Sequence, residues 1–440
     1  MKYLFLLAFL ICFSANSQNT ILSERERADL KDEIMADRFN NLLPQLMDRT
    51  GIDMWVIISR EYNEDPVMRT MLPAKWLNAR RRTILLFYRD ADAGTIDKLA
   101  VARYDVGENI KSAWNKEEEP DQWQALVRLI QERNPKKIGI NTSDYFGIAD
   151  GLVKTDYEGL LEALPAEEEA KLVSAEKLAI AWIETRTEKE MELYNTLVDI
   201  THDIIAEAFS AEVIEPGVTT TDDVVWWMRQ KITDMGLETW FHPTVDLQRS
   251  NEALKSQVNA FSKGKEDMTI LPGDLLHCDI GITYIGLNTD CQQHAYMLKE
   301  GEDEVPEFLA KAFVLGNRVQ DILTGNFVTG QTGNQILLKS LGEAKDEGLR
   351  PSIYTHPLGL YGHSSGPTIG MWDSQGGVPV NGDYPLYPNT VYAIELNTTV
   401  RIDQWDKDIR VMLEEAGFYG EDGFRYVNGR QEAIIPIKTD

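Results

Sequence analysis

Between about residues 25 and 170, short β-rich apolar runs alternate with stretches whose apolar positions recur at helical spacing. The strand-like runs are DMWVIIS, RTILLFYRD and DKLAVARYD, and the stretch QWQALVRLIQERN leads into KKIGIN. Strands separated by amphipathic helical patterns predict an α/β unit. The acidic run EEEP at 117–120 reads as a solvated loop. Near Thr187 the pattern lengthens. Thr187 and Glu190 form a Thr-x-x-Glu capping box ahead of Tyr194, Leu197, Val198, Thr201 and Ile205, which fall on one face of a long helix. The segment EPGVTTTDDVVWWMRQKITDMG repeats the logic, with a Pro-Gly turn, threonine caps, acid in the first turn and Gly236 at the stop. Its adjacent Trp226 and Trp227 read as core or dimer contacts. Beyond it the chain turns strand-like through DLLHCDIGITY, NTVYAIELNTTV, RVMLEEAGFY and GRQEAIIPI, bounded by Gly, Pro and Asn turns.

A chain of 440 residues has room for two or three domains. Its first residues read as an address: Lys2, the apolar run YLFLLAFLICF, then the small-residue site Ala15-Asn16-Ser17. A signal peptide over 1–17 is expected, with export to the periplasm or beyond the cell. The run is too short for a permanent span, and no later segment reaches the length of a transmembrane helix. The net charge of −27, from 71 acidic against 44 basic residues, argues against nucleic acid or anionic membrane as a partner. The basic run NARRRT at 78–83 is an isolated solvated or interface feature. After the leader only Cys278 and Cys291 remain, which is no disulfide scaffold.

The stretch HCDIGITYIGLNTDCQQH at 277–294 sets Asp279 and Asp290 in an apolar, threonine-rich run, where an unpaired buried charge is costly. An antiparallel hairpin in which Asp279 faces Asp290 would also oppose Cys278 to Cys291 and His277 to Gln292, with the aspartates on one face and the cysteines on the other. Two opposed carboxylates repel unless a proton or a cation sits between them, and a divalent metal is the simplest remedy. The cysteines would lie within disulfide reach, the plainer expectation being two buried thiols. Carboxylate and imidazole suit a hard or borderline cation. Further candidates stand in later segments: His356 and His363 in YTHPLGLYGHSSGP, Glu395 in YAIELNT and Glu414 in VMLEEAGF.

In order, Asp279, Asp290, the His-x-Leu-Gly-Leu motif at His356, the strand glutamate Glu395 and the final Glu414 resemble the metal-ligand series of the pita-bread metallopeptidases: aminopeptidase P, prolidase, methionine aminopeptidase and the metal-free creatinase. The resemblance implies an amino-terminal α/β domain over 18–175 like that of the creatinase and prolidase branch, and an α+β pita-bread catalytic domain over 176–440. It implies two divalent metal ions, manganese, cobalt or zinc. Asp279 would chelate one, Asp290 and Glu414 would bridge the pair, and His356 would complete the first site. Glu395 would bind a metal and hold the proton of the attacking water, a hydroxide bridging the metals. Glu415 is the second choice for Glu414. His363 would donate to the substrate carbonyl.

The match departs from the proline-directed members in three places. A loop histidine expected about seventeen residues before the first aspartate is absent from NAFSKGKEDM, Ser352 stands where a histidine is favoured, and Met412 replaces an arginine. The loop HPTVDLQRSNEALKSQVNAFSKGKEDM is long, which suggests a different lid. His242 and His294 are possible replacement donors, each more simply structural. His202 reads as a boundary residue on its helix, and His277 shares the face of Asp279. The expectation is an exported, homodimeric dinuclear metallopeptidase of the Xaa-Pro aminopeptidase or prolidase type, acting on small peptides. The alternatives are a creatinase-like hydrolase of a small non-peptide C–N bond, or a homologue that binds metal or peptide without turnover.

Overall fold

The computed structural model describes residues 21–250 and 268–438. The expected signal peptide and much of the long loop before Met268 lie outside the described residues. The first helix, Glu24–Asp37, starts at a Ser23/Glu26 capping box, passes through one π turn at Arg38–Leu42 and continues as Leu43–Thr50. It stops at Gly51, whose φ of 66° is the left-handed cap that glycine adopts without strain.

The expected strands then assemble into a six-stranded sheet. Met54–Arg60 lies near its centre, antiparallel to Arg82–Asp90 and parallel to Ile138–Ile140. The central strand is apolar from Met54 to Ile58 because both faces are covered there. Trp55 and Ile57 pack with Phe39, Leu43, Met47 and Trp182. Met54, Val56 and Ile58 pack on the other side with Leu126, Ile130 and Leu160 from the helices Gln122–Arg133 and Lys154–Ala163. The result is a three-layer α/β unit, as the alternation of patterns predicted. The helix Glu176–Glu184 sends Leu178 to Ile183 into this same core.

The second unit begins with the capped helix Glu188–Ala208, where Thr187 and Glu190 make the expected reciprocal bonds. Its buried face includes Tyr194, Leu197, Val198, Thr201 and Ile205. With the helix Thr221–Asp234 it covers a sheet of Thr244–Gln248, Leu275–Ile280, Cys291–Met297 and Ile435–Ile437. A second pair of helices, Glu307–Gly325 and Gly333–Asp346, packs on strands from the carboxyl-terminal half, among them Leu396–Ile402 and Lys407–Leu413. This is the α+β unit expected, with two helix pairs packed on its sheets.

The hairpin register differs from the sequence expectation. Asp279 pairs with Gln292, Cys278 with Gln293, His277 with His294 and Cys291 with Ile280. The cause is the turn. Tyr284 pairs with Leu287, leaving Ile285 and Gly286 as a two-residue loop with φ values of 52° and 82°, the left-handed pair of a type I′ turn. This slips the pairing by two residues. Because a strand repeats its faces every two residues, the slip keeps Asp279 and Asp290 on one face and both cysteines on the other, but diagonal rather than opposed. Cys278 and Cys291 are free and buried, so the plainer expectation holds and the disulfide does not.

Candidate metal centre

Four of the five candidate ligands sit where a chain passes from one sheet to the next. Asp290 lies between Leu287–Asn288 and Cys291–Met297, and His356 opens His356–Leu358 just after Pro351–Ile353. Glu395 falls between Thr390–Ala393 and Leu396–Ile402, and Glu414 between Lys407–Leu413 and Ala416–Gly420. The fifth, Asp279, is next to last in its strand. Breaks in a ladder re-aim side chains, and here they aim acids from distant segments at one point.

The structure brings all five together. Ligand atoms of Asp279, Asp290 and Glu414 lie within 4.8 Å of one another, as do those of His356, Glu395 and Glu414, so Glu414 is shared. Asp290, His356 and His363 form a third such group. His356 Nε2 is 3.6 Å from Asp290 and 3.7 Å from Glu414. The other ring nitrogen, Nδ1, lies 3.0 Å from the Pro357 carbonyl and donates to it, which leaves the Nε2 lone pair free and aimed at the carboxylates. Asp290, His356 and Glu414 are buried, while Asp279 and Glu395 keep part of their surface open and form the mouth.

Electrostatics argue for a cation. Burial and then the mutual repulsion of the carboxylates push Asp290 and Glu414 well above the ordinary acid range. Burial, followed by Asp279, does the same to Glu395, and burial raises Asp279 to about 6. Burial, with His363 adding to it, depresses His356 to about 3. Among the described residues, Asp279 Oδ1, Asp290 Oδ1, His356 Nε2 and Glu414 Oε1 are buried polar atoms with no hydrogen-bond partner. Unsatisfied buried groups are rare because each carries its full desolvation cost. A donor set of four carboxylates and a neutral imidazole converging on one point fits hard or borderline divalent ions.

A hydrogen-bonded frame, not apparent from sequence, stands behind these residues. Gln292 and Glu414 face each other across an isolated bridge, N–H of each to carbonyl of the other at 2.9 and 3.3 Å. The Gln292 amide Nε2 donates to Glu414 at 2.8 Å and to Glu395 at 3.0 Å. Its Oε1 accepts from His277 Nε2 at 3.0 Å. Glu415 points the other way, to His202 at 2.7 Å and Gln293 at 2.9 Å. Of the adjacent glutamates, then, Glu414 belongs to the cluster, and His202 is the partner of Glu415 rather than a plain boundary residue. His294 is structural, held by the Leu276 carbonyl and the Met412 N–H, and His242 pairs with Arg229.

The exposed His363 stands beside His356, ring centroids 4.8 Å apart, and partial desolvation lowers its pKa. Trp240 packs edge-on to it at 5.1 Å, fixed by a 2.8 Å hydrogen bond to the Thr289 carbonyl. Tyr354 lies 5.3 Å from His356 and 6.1 Å from His363. An aromatic wall therefore flanks the mouth of the cluster.

The family model for Metallopeptidase family M24 matches residues 192–426, more than half the chain and the whole of this ligand series. The chain belongs to metallopeptidase family M24. As an M24 chain it also shares its fold with solved structures across both units. An X-Pro aminopeptidase from Thermotoga maritima aligns with TM-score 0.62 and 16% identity, covering 89% of this chain and 99% of that one. A Xaa-Pro dipeptidase from Bacillus anthracis aligns at 0.56 and 16%, covering 94% and 100%. The prolidase of Pyrococcus horikoshii aligns at 0.53 and 14%, covering 92% and 99%. No curated protein matches the sequence. No helix among the described residues is long and apolar enough to cross a membrane.

Proposed function

We propose that this M24 protein is a dinuclear metal-dependent peptidase that hydrolyses small peptides, with Xaa-Pro bonds as its preferred substrates. The observation that carries the reading is the convergence of Asp279, Asp290, His356, Glu395 and Glu414, four of them with buried, unpartnered ligand atoms. Glu414 and Asp290 each belong to two of the ligand groups and have one group in common, so these two carboxylates would be the ones placed to hold both ions. Bound divalent cations would supply Lewis acidity and a water of lowered pKa. The chain's residues do the rest. Glu395, at the open side, would take up and hold the proton of the attacking water. His363 would donate to the substrate carbonyl oxygen. Trp240 and Tyr354 would shape an apolar wall suited to a ring such as that of proline. The preference for proline is supported by the structural neighbours, which include an X-Pro aminopeptidase and a Xaa-Pro dipeptidase.

The test joins metal analysis to turnover. Protein reconstituted with manganese, cobalt or zinc is expected to hold about two ions per chain and to cleave Xaa-Pro dipeptides or longer Xaa-Pro peptides. Glu395→Gln should lower kcat by about 10²-fold or more while the protein stays folded. Fewer than one ion per chain, or full activity in that variant, would rule the reading out.

A further inference from the structure

Hydrolysis of an amide places growing negative charge on the carbonyl oxygen, and sites that perform it aim more than one fixed donor at that atom. His363 is one such donor, and the sequence offers no second histidine: none lies between His242 and His277, and Ser352 stands four residues before His356. The structure presents another polar group in the same place. Tyr354 is two residues before His356, in the crossover between Pro351–Ile353 and His356–Leu358. Its ring lies against both histidines, 5.3 Å from His356 and 6.1 Å from His363. Its backbone is pinned, since the Tyr354 N–H donates to the Glu395 carbonyl at 3.1 Å and the neighbouring Thr355 hydroxyl donates to the same oxygen at 3.0 Å. The ring is half-buried, and the phenol makes no hydrogen bond to any described residue. The charges of Glu395, Glu414 and Asp290 all act on that phenol. A tyrosine kept for packing alone would need no hydroxyl there, and a tyrosine kept for its hydroxyl usually has a partner.

We infer that Tyr354 is a further catalytic residue, whose Oη–H donates to the scissile carbonyl oxygen alongside His363 and stabilises the charge that forms on it during attack. The inference rests on the peptidase reading above. An unperturbed phenol titrates near pH 10, so the group carries its proton at neutral pH and acts as a donor only. The proton stays on tyrosine throughout, and no bond at this residue is made or broken. Because the interaction strengthens only as the oxygen becomes charged, it belongs to kcat rather than to substrate binding.

The experiment compares wild type with Tyr354→Phe, which keeps the ring and removes only the hydroxyl. Metal content and thermal midpoint are measured on both. Turnover of an Xaa-Pro peptide is followed together with calorimetric binding of a phosphinic peptide, which mimics the tetrahedral state, and of an unreactive peptide amide, which does not. The expected result is equal metal content, a kcat lower by about 10²-fold, KM within about threefold, and phosphinate affinity falling in parallel with kcat while amide affinity is unchanged. A metal-loaded variant with kcat and phosphinate affinity within about threefold of wild type overturns the role of Tyr354 and leaves the peptidase reading standing. A parallel fall in amide and phosphinate affinity also overturns it, because the hydroxyl would then serve ground-state binding. A wild-type protein that neither holds metal nor binds the phosphinate overturns both.

Discussion

Gln292 shows what a neutral side chain does in a crowd of carboxylates. One amide nitrogen reaches both Glu395 and Glu414, and the amide oxygen is held by His277. Each glutamate is thereby oriented, with its other oxygen left free for a cation, the arrangement that outer partners of metal sites generally impose. Gln292→Leu should raise the dissociation constant for the divalent ion by about 10–100-fold, measured against a competing chelator. Unchanged affinity would show the amide to be a bystander. Four of the five candidate ligands were legible in the sequence because an acid in an apolar strand is anomalous: Asp279, Asp290, Glu395 and Glu414 each interrupt a run that should be heading inward, while His356 was reached through its His-x-Leu-Gly-Leu motif. Gln292 and Tyr354 raise no such alarm, since glutamine and tyrosine are ordinary in strands. Their importance comes from whom they meet, Glu414 across a bridge and His363 across a loop, and neither neighbour can be read from local spacing.

At the scale of elements, helices were read more accurately than strand pairing. The capping box at Thr187, the threonine caps after the Pro-Gly turn and the spacing of Tyr194, Leu197 and Val198 are local signals, and the helices start where they point. The hairpin depends on which residues form the turn, and Ile285-Gly286 takes the positive φ values with only one glycine to announce them. The two-residue slip went unseen for the same reason that it did no harm, because it preserves faces. Gly281 marks where this hairpin breaks. A β-carbon there would lie 2.2 Å from Trp240 Nε1, 2.6 Å from Phe241 and 2.6 Å from the Thr289 carbonyl oxygen. Gly281→Ala should therefore displace Trp240 from its bond to Thr289 and cost about 1–3 kcal/mol. Denaturant melts would report the loss, and altered tryptophan fluorescence the displacement. An unshifted spectrum at full stability would contradict the close packing.

The molecule as a whole is tied across its two units by a buried charge. Arg38, at the π turn, donates to both carboxylate oxygens of Glu190 at 2.8 and 2.9 Å and to the Thr185 and Trp182 carbonyls, while Arg186 shares Glu190 at 3.1 Å. Burial lowers the Arg38 pKa to about 10 against the support of Glu190, which is still far above neutrality. Arg38→Ala strands the carbonyls and weakens the hold on Glu190, and about 3–5 kcal/mol of stability should be lost in urea unfolding. A loss below about 1 kcal/mol would mean that water takes over the role of Arg38. No sequence signal marked this arginine, because its partner is remote and an isolated charge in an amphipathic helix reads as surface. The ligand series has a similar long reach, running from Asp279 to Glu414, and the strand crossovers between them have to form before the acids meet. In the proposed metal-dependent enzyme a half-assembled chain would offer only scattered weak chelators, and ion capture would be a checkpoint passed by finished molecules. Such a checkpoint would keep incomplete copies from sequestering scarce cations or cutting neighbouring peptides prematurely.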